Sequence, residues 1–222
     1  MQITESNSGL ASKTGSQVLE AQGTAVVGMS LGNKYFSESN IAELLGLCRG
    51  SFSDVRVMIT DVIGVDTLLA EGYPRDEAIR KARLDGNALR NRIKRVIKAS
   101  DGPEVKILDW MSGIEAHPIY QESLAEVKEL YDTVDSFRND VRAATASVLE
   151  GKLRNGQELE FAIDTGVHYL LAELAFLGRS PEILGTEQIA YVYHRGWPIF
   201  TNFINGEYDG EQRVNVGFVV VR

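Results

Sequence analysis

The sequence predicts an α/β fold with a mostly parallel sheet flanked by helices. Short apolar, β-branched segments alternate along the chain with helical patterns of ten or more residues. This alternation is typical of parallel strands joined by right-handed helical crossovers. With 222 residues, of which 44% are hydrophobic, the chain can bury one sizeable core. Because no internal repeat or linker follows residue 23, we expect one domain.

Patterns in the first half of the chain predict a strand, a helix, a second strand and a broken helical region, at residues 25–27, 37–50, 55–65 and 65–99. The two strands are short runs rich in valine and isoleucine. Ser37 or Ser39 can cap the first helix, since a serine side chain accepts a hydrogen bond from the free N–H groups of a first turn. Gly72-Tyr73-Pro74 interrupts the last region, and we expect a second break at Gly86.

The second half of the chain repeats the alternation. It predicts a third strand, one long helix, a second helix and two closing strands, at residues 105–111, 118–151, 157–177, 189–194 and 213–221. In the long helix, apolar side chains recur at helical spacing from Leu124 to Val141.

Residues 1–22 are polar and have no hydrophobic period, so we expect a disordered N-terminal arm and place the folded domain at 23–222. Neither a secretory signal nor a run of about 18–20 apolar residues is visible, which argues against a membrane protein. Cys48 is the single cysteine, so an internal disulfide and a multi-cysteine zinc site are excluded. We therefore expect a cytoplasmic protein.

The segment Gly28-Met29-Ser30-Leu31-Gly32 follows the first predicted strand and has the pattern G-x-S-x-G. In α/β-hydrolases this pattern marks a nucleophilic serine, and a histidine base would then be His168 or His194. Only 29 residues precede Ser30, whereas hydrolases place several strands before this point. A tight turn with no catalytic role also explains the two glycines.

Basic residues are concentrated between Arg75 and Lys98. This segment holds nine basic and three acidic residues, a charge of +6, while the net charge of the whole chain is −8. A solvated helix face is one explanation, but residues 86–100 contain no acid at all. Such a concentration in an acidic protein also fits contact with the phosphate backbone of a nucleic acid.

A carboxylate stands on an otherwise apolar helical segment, 166–178. Tyr169, Glu173 and Phe176 share one face of it, because their spacing is i, i+4, i+7. A buried carboxylate is costly without a partner, which is either a structural arginine or a cationic group of a substrate. Tyr193 and His194 end a later strand, either as a proton-transfer pair or as a solvated strand end.

Together these features resemble the tRNA-dependent cyclodipeptide synthases. The resemblance covers residues 24–220, and the basic segment falls where that family binds tRNA. The presence of Asn33 with Tyr193 and His194 indicates the subfamily named for Asn-Tyr-His. The matching motifs occur in the family's order and are Gly28-x-Ser30-x-x-Asn33-x-Tyr35-Phe36, Tyr169-x-x-x-Glu173, and Tyr193-His194 followed by Pro198.

The resemblance implies a Rossmann-like domain related to class I aminoacyl-tRNA synthetases. It implies an enzyme that consumes two aminoacyl-tRNAs per cyclodipeptide by a ping-pong route, through an aminoacyl-serine and a dipeptidyl-enzyme. No cofactor and no metal are implied, and we expect a monomer. Ser30 would be the nucleophile, and Tyr169 and Glu173 would hold the aminoacyl ammonium group. Tyr193 would assist proton movement, and Asn33 and His194 would shape the surrounding loop.

Two further sets of residues are expected to bind substrate. Strand and helix periodicity suggests walls for the first amino acid at Val26, Gly28, Phe176 and Tyr191. The tRNA is expected to contact Arg80, Lys81, Arg83, Arg90, Arg92, Lys94, Arg95 and Lys98.

Three other functions stay open on the sequence alone. The first is a serine α/β-hydrolase or acyltransferase that uses Ser30 and a histidine base. The second is a fragment of an aminoacyl-tRNA synthetase, although no His-x-Gly-His-like or Lys-Met-Ser-Lys-Ser-like motif is found. The third is a tRNA-binding module without catalysis. The sequence does not identify the two amino acids that the resemblance expects to be joined.

Overall fold

The computed structural model describes residues 3–4, 13–154 and 156–221. In this part of the chain, six strands form one sheet in the order β1-β6-β5-β2-β3-β4. Strands β2 to β6 are parallel to their neighbours, and β1 pairs antiparallel with β6 at the edge. The strands are Ile3–Thr4 (β1), Thr24–Met29 (β2), Asp54–Ile59 (β3), Val105–Leu108 (β4), Ile189–Tyr193 (β5) and Val216–Val221 (β6). The predicted α/β fold with a mostly parallel sheet is confirmed.

Helices cover both faces of the sheet. Apolar residues of α1, α2 and α4 pack on one face, and α7 with parts of α5, α6 and α9 forms the core on the other. The helices are Lys13–Glu20 (α1), Glu38–Ser51 (α2), Gly64–Ala70 (α3), Arg75–Ala99 (α4), Pro118–Thr133 (α5), Asp135–Leu149 (α6), Leu159–Gly178 (α7), Ser180–Leu184 (α8) and Pro198–Asn205 (α9).

The strand order determines where a site can form. β2 lies at the centre, with β3 on one side and β5 on the other. The chain moves outward through β3 and β4 and then returns to place β5 on the opposite side of β2. In open parallel sheets, ligands bind beyond the carboxyl ends of the strands where the direction of winding reverses. That point lies at the ends of β2 and β5, next to Ser30 and Tyr193.

The expected disordered arm is wrong for residues 13–20, which form α1. Val18 of this helix is buried in the core. A β-carbon on Gly15 would lie 2.7 Å from the Phe218 carbonyl oxygen, so the helix lies directly against β6. Because only one side of α1 is apolar, its short period is hard to detect in a polar segment. Residues 1–2 and 5–12 lie outside the described residues.

Two predicted helical regions are divided differently in the structure, and α8, α9 and the π-helix Trp110–Glu115 lie where no helix is predicted. No break occurs at Gly86, which lies inside the 25-residue helix α4. The glycine is required there by packing, since its β-carbon would lie 2.6 Å from the Asp61 β-carbon. The predicted long helix over 118–151 is two helices, because Val134 has an extended backbone between α5 and α6.

Helix α7 is the core helix of the fold. By length and hydropathy it is the one described helix that could cross a membrane, but two thirds of its most apolar window is buried inside the protein. It packs against α3, α5 and α6. Its apolar character is therefore explained by burial within the fold.

Candidate active site

Ser30 lies immediately after β2, at the winding reversal. Its Oγ is 3.0 Å from the hydroxyl of Tyr193, the last residue of the neighbouring strand β5. Burial raises the pKa of the Tyr193 phenol, against the lowering effect of its hydrogen bond with Ser30. Tyr193 is therefore protonated at neutral pH, and its hydroxyl can accept one proton while it donates another. This pair can carry a proton to or from the serine oxygen.

Asn33 holds the loop after Ser30 in place. Its Oδ1 accepts a hydrogen bond from the Tyr35 backbone N–H at 3.0 Å, a local turn typical of asparagine. Its Nδ2 lies 3.4 Å from Ser30 Oγ, 3.5 Å from the Tyr193 hydroxyl and 3.0 Å from His194 Nε2. The Asn33 amide thus links the loop after Ser30 to the end of β5.

His194 supports the loop and does not contact Ser30. Its ring stacks on Tyr35 with centroids 4.0 Å apart. Burial, and then the nearby Arg195, lower the pKa of His194, so the ring is neutral at pH 7. The Nε2 atom can therefore accept the hydrogen bond that Asn33 offers. Arg92 of α4 donates to the Phe36 carbonyl oxygen at 2.7 Å and ties the same loop from the other side.

Glu173 is a buried carboxylate, only 7% exposed, that belongs to the wall of the cavity. The Tyr191 hydroxyl donates to its Oε1, and the Tyr169 hydroxyl, which donates to Thr60 Oγ1, lies close to the same carboxyl group. Burial raises the pKa of Glu173 to about 7, although the two neighbouring tyrosine hydroxyls lower it. Among the described residues, no lysine or arginine forms an ion pair with Glu173. The structural arginine considered above is therefore not found in the described chain.

A cavity of about 720 Å³ opens beside these groups. It extends from Ser30 towards α3 and α6, where Leu68, Thr145 and Leu149 line it. The six residues expected to be catalytic all line this cavity, and they are Ser30, Asn33, Tyr169, Glu173, Tyr193 and His194. Within the described chain, no three His, Cys, Asp or Glu side chains are grouped as a metal ion would require.

The four residues expected to form substrate walls lie at different depths below the site. Of the four residues, Tyr191 alone lines the cavity. Val26 and Phe176 are fully buried in the core. A β-carbon on Gly28 would lie 2.1 Å from the Tyr191 hydroxyl oxygen, so packing by itself requires a glycine at this position.

The geometry of a serine–histidine pair is not present among the described contacts. The side-chain partners of Ser30 are Tyr193 and Asn33. His168 is exposed on α7 and does not line the cavity. The structure therefore gives Ser30 a tyrosine partner where the hydrolase alternative requires a histidine.

Basic side chains of α4 divide into two groups. Several of those expected to bind tRNA are held by contacts within the protein, namely Lys81 with Asp85, Arg90 with Asp61, Arg92 with the Phe36 carbonyl and Arg95 with Glu38. The others are exposed and form no ion pair with another described residue. We call this second group the α4 basic face, and it consists of Arg80, Arg83, Lys94 and Lys98.

Comparison with known proteins identifies the family. The family model for cyclodipeptide synthases matches residues 9–222. The chain belongs to the cyclodipeptide synthase family. As a cyclodipeptide synthase, it makes cyclodipeptides from aminoacyl-tRNAs. A tRNA-binding module without catalysis, a hydrolase and a synthetase fragment are therefore set aside.

Two curated relatives have named products. The chain is 28% identical over 211 residues to the cyclo(L-leucyl-L-leucyl) synthase of Bacillus subtilis, covering 93% of this chain and 85% of the relative. It is 29% identical over 212 residues to the cyclo(L-leucyl-L-phenylalanyl) synthase of Streptomyces noursei, covering 89% of this chain and 84% of the relative.

Solved structures share the fold of this cyclodipeptide synthase. A cyclodipeptide synthase from Bacillus thermoamylovorans superposes with a TM-score of 0.85 at 23% identity, over 95% of this chain and 93% of the other. A Mycobacterium tuberculosis protein superposes with a TM-score of 0.75 at 21% identity, over 94% and 89% of the two chains. The latter structure was described as showing that cyclodipeptide synthetases are related to type I tRNA synthetases, which agrees with the Rossmann-like strand order found here.

Thr60 is a residue of the synthase site that the sequence analysis missed. It follows β3 and lines the cavity, and the Tyr169 hydroxyl donates to its Oγ1 at 3.2 Å. The sequence predicted one strand over 55–65, which placed Thr60 inside a strand. Because β3 ends at Ile59, Thr60 lies at the edge of the sheet where the carboxyl ends of neighbouring parallel strands meet, beside Ser30.

Proposed function

We propose that this cyclodipeptide synthase works by a ping-pong route through Ser30. Ser30 Oγ attacks the ester carbonyl of a first aminoacyl-tRNA, forms an aminoacyl-serine ester and releases the tRNA with its hydroxyl restored. The amine of that aminoacyl group then attacks the ester of a second aminoacyl-tRNA, which gives a dipeptidyl-enzyme and releases the second tRNA with its hydroxyl restored. Finally, the free amine of the dipeptide attacks the Ser30 ester, and the cyclodipeptide leaves as the serine hydroxyl is restored.

The observation that carries this proposal is the 3.0 Å contact between Ser30 Oγ and the Tyr193 hydroxyl at the cavity. Each step moves a proton to or from the serine oxygen or a leaving hydroxyl, and Tyr193 would relay that proton. The substrates are already activated esters, so orientation of the amine supplies much of the rate. Well-oriented groups reach effective molarities on the order of 10⁵ M or more.

Glu173 and Tyr169 are the proposed site for the aminoacyl ammonium group. Glu173 lines the cavity and has no basic partner among the described residues, so a cationic substrate group would supply the missing charge. A carboxyl group whose pKa is about 7 can also take the proton that the ammonium group loses before the amine attacks. Tyr169 would orient this carboxyl from the same helix.

Asn33 and His194 are proposed to keep the Ser30 loop against β5, as their contacts with each other and with Ser30 and Tyr193 suggest. The joint presence of Asn33, Tyr193 and His194 supports membership of the Asn-Tyr-His subfamily. We also propose that the α4 basic face contacts the tRNA backbone, since its four cations are exposed and RNA binding is driven by phosphate neutralisation.

Apolar amino acids are the proposed substrates. Leu68, Leu149 and Leu170 line the cavity, and the products of the two named relatives contain leucine or phenylalanine. We propose that the enzyme acts in the cytoplasm, where charged tRNAs are available. We also propose that it acts as a monomer. The buried free thiol of Cys48 is compatible with that reducing compartment.

The proposal is tested by expressing the chain in a bacterium and measuring diketopiperazines in the culture by mass spectrometry. Wild type is expected to produce a diketopiperazine, and Ser30→Ala is expected to lose it completely. The matched control is Ser53→Ala, an exposed serine at the opposite end of the strands, which is expected to retain full production.

Purified protein tests the covalent route directly. During turnover with mixed aminoacyl-tRNAs, the intact mass of wild type is expected to rise by one aminoacyl group, and that of Ser30→Ala to stay unchanged. Product formation by folded Ser30→Ala, or acylation of Ser30→Ala at the wild-type level, would show that Ser30 is not the nucleophile.

A further inference from the structure

Tyr191 contacts the carboxyl group of Glu173 from beneath the cavity. Its hydroxyl donates to Glu173 Oε1, while its own side chain is only 2% exposed. None of the motifs that carry the family resemblance contains Tyr191, and the sequence analysis treated it as a wall residue only. The contact suggests that its hydroxyl acts on the chemistry through Glu173.

The position of this hydroxyl is fixed by the packing around it. The Tyr191 ring stacks on Phe200 and Phe218, with centroids 5.7 Å and 6.1 Å away. The hydroxyl itself occupies the volume that a side chain at residue 28 would need, since a β-carbon on Gly28 would lie 2.1 Å from it. Aromatic stacking thus holds the ring, and the absence of a side chain on β2 leaves room for the hydroxyl.

We propose that Tyr191 is a positioning residue, which uses its hydroxyl to hold the Glu173 carboxylate in the orientation that binds the aminoacyl ammonium group, and that Gly28 makes the space for this contact. The inference rests on the proposed role of Glu173 in binding that group. With Oε1 occupied by Tyr191, the remaining lone pairs of the carboxylate stay available for Tyr169 and the substrate.

The charge state of Glu173 makes the proposal testable. The titratable groups that act on this carboxyl are Tyr169 on its own helix and Tyr191 and Tyr193 on β5, all neutral tyrosines at pH 7. From β2 the neighbouring positions are Gly28 and Ser30, which carry no charge. Hydrogen bonds to a carboxylate favour its charged form. Removal of the Tyr191 hydroxyl therefore raises the pKa of Glu173.

The decisive variant is Tyr191→Phe, which keeps the stacked ring and removes only the hydroxyl. Initial rates of cyclodipeptide formation from purified aminoacyl-tRNAs would be measured between pH 6 and pH 9. The rate midpoint of the variant is expected to move upward by about one pH unit. The variant is thus expected to be roughly tenfold slower than wild type at pH 6.5 and within about threefold of it at pH 8.5. The ratio of rates at each pH cancels effects on the substrate itself.

Tyr208→Phe is the matched control. The Tyr208 hydroxyl donates to Asp140 Oδ2 at 2.6 Å, so the substitution removes the same kind of tyrosine–carboxylate contact at a position outside the cavity lining. Its profile is expected to coincide with that of wild type. An equal loss at every pH in Tyr191→Phe, or an unchanged profile, would overturn the proposal.

Two more variants separate this inference from the proposed function. Glu173→Gln is expected to lose activity at all pH values; if it stays active, the proposed role of Glu173 itself fails. If Glu173→Gln is inactive and Tyr191→Phe has the wild-type profile, only the inference about Tyr191 fails. Gly28→Ala is expected to displace the hydroxyl and to shift the profile upward, as Tyr191→Phe does, and an unshifted profile would contradict the role given to Gly28.

Discussion

At the scale of single residues, the burial of the Glu173 carboxyl lowers the free energy of unfolding at neutral pH. Its side chain is almost fully buried, and its described partners are neutral tyrosine hydroxyls. Burial raises the pKa of Glu173 from 4.5 to about 7, so ionisation of this carboxyl is less favourable in the folded protein than in the unfolded chain. Between pH 4.5 and pH 7 the unfolded chain loses this proton before the folded one. Stability therefore falls with rising pH in that window and stays low above it.

Glu173→Gln is accordingly expected to stabilise the fold while it abolishes turnover. At pH 8 the free energy of unfolding should increase by on the order of 1–3 kcal/mol, and at pH 5 it should change little. Urea unfolding at the two pH values measures this. The exposed carboxylate Glu187 provides a control, since Glu187→Gln removes the same charge from the surface. A variant less stable than wild type at pH 8 would show that the buried charge is compensated.

The sequence predicted the residues of the site more completely than their contacts. Ser30, Glu173 and Tyr193 were found from a strand end and from helical spacing, because these local signals follow from backbone period. The contact between Tyr191 and Gly28 joins two strands and depends on the direction of one side chain. A single sequence carries no periodic signal for such a contact between strands.

At the scale of elements, α4 carries basic residues of two kinds, some bound within the protein and some exposed. Arg90 and Arg92 hold Asp61 and the Ser30 loop, while the α4 basic face points to solvent. The sequence predicted the excess of basic residues on α4. It could not distinguish the residues held inside the protein from the exposed ones, because the partners of Arg90 and Arg92 lie about 30 to 60 residues away in the chain. The same limit explains Gly86, whose role is set by Asp61 and not by its own helix.

Lys94→Ala/Lys98→Ala is expected to weaken tRNA binding and its dependence on salt. Each lost phosphate contact lowers the magnitude of the slope of log K against log salt by about 0.7–0.9, so the double variant should lose roughly 1.4–1.8. Binding measured at several salt concentrations gives this slope. The control Lys106→Ala/Lys128→Ala removes two exposed lysines from β4 and α5. This double variant is expected to have the same slope as wild type. Equal slopes in the two double variants would remove α4 from the tRNA interface.

At the scale of the whole molecule, the N-terminal segment completes the sheet. The sequence predicted the five parallel strands and the main helices between them from their alternation, but it missed β1, α8, α9 and the π-helix Trp110–Glu115. It did not predict α1, whose apolar contact with β6 involves few residues and joins the two ends of the chain. The described strand β1 adds a short antiparallel pair at the same edge.

Val18→Ala tests whether α1 belongs to the cooperative fold. Its buried side chain should cost roughly 1–2 kcal/mol of unfolding free energy when shortened. Gln17→Ala, at the exposed neighbouring position, should change it little. Urea unfolding compares the two, and equal stabilities would mean that residues 13–20 contribute nothing to the global transition.

The placement of β5 beside β2 has a consequence for synthesis on the ribosome. Ser30 and Tyr193 are 163 residues apart in sequence, although their oxygens touch in the finished protein. At about 5–20 residues per second, roughly 10–30 s separate the emergence of the two. During that interval the nascent chain carries Ser30 without the tyrosine hydroxyl that hydrogen-bonds to it, and for most of the interval also without the helix that bears Glu173. The proposed reaction through Ser30 therefore requires the completed chain, and an unfinished chain would leave the cell's aminoacyl-tRNAs charged.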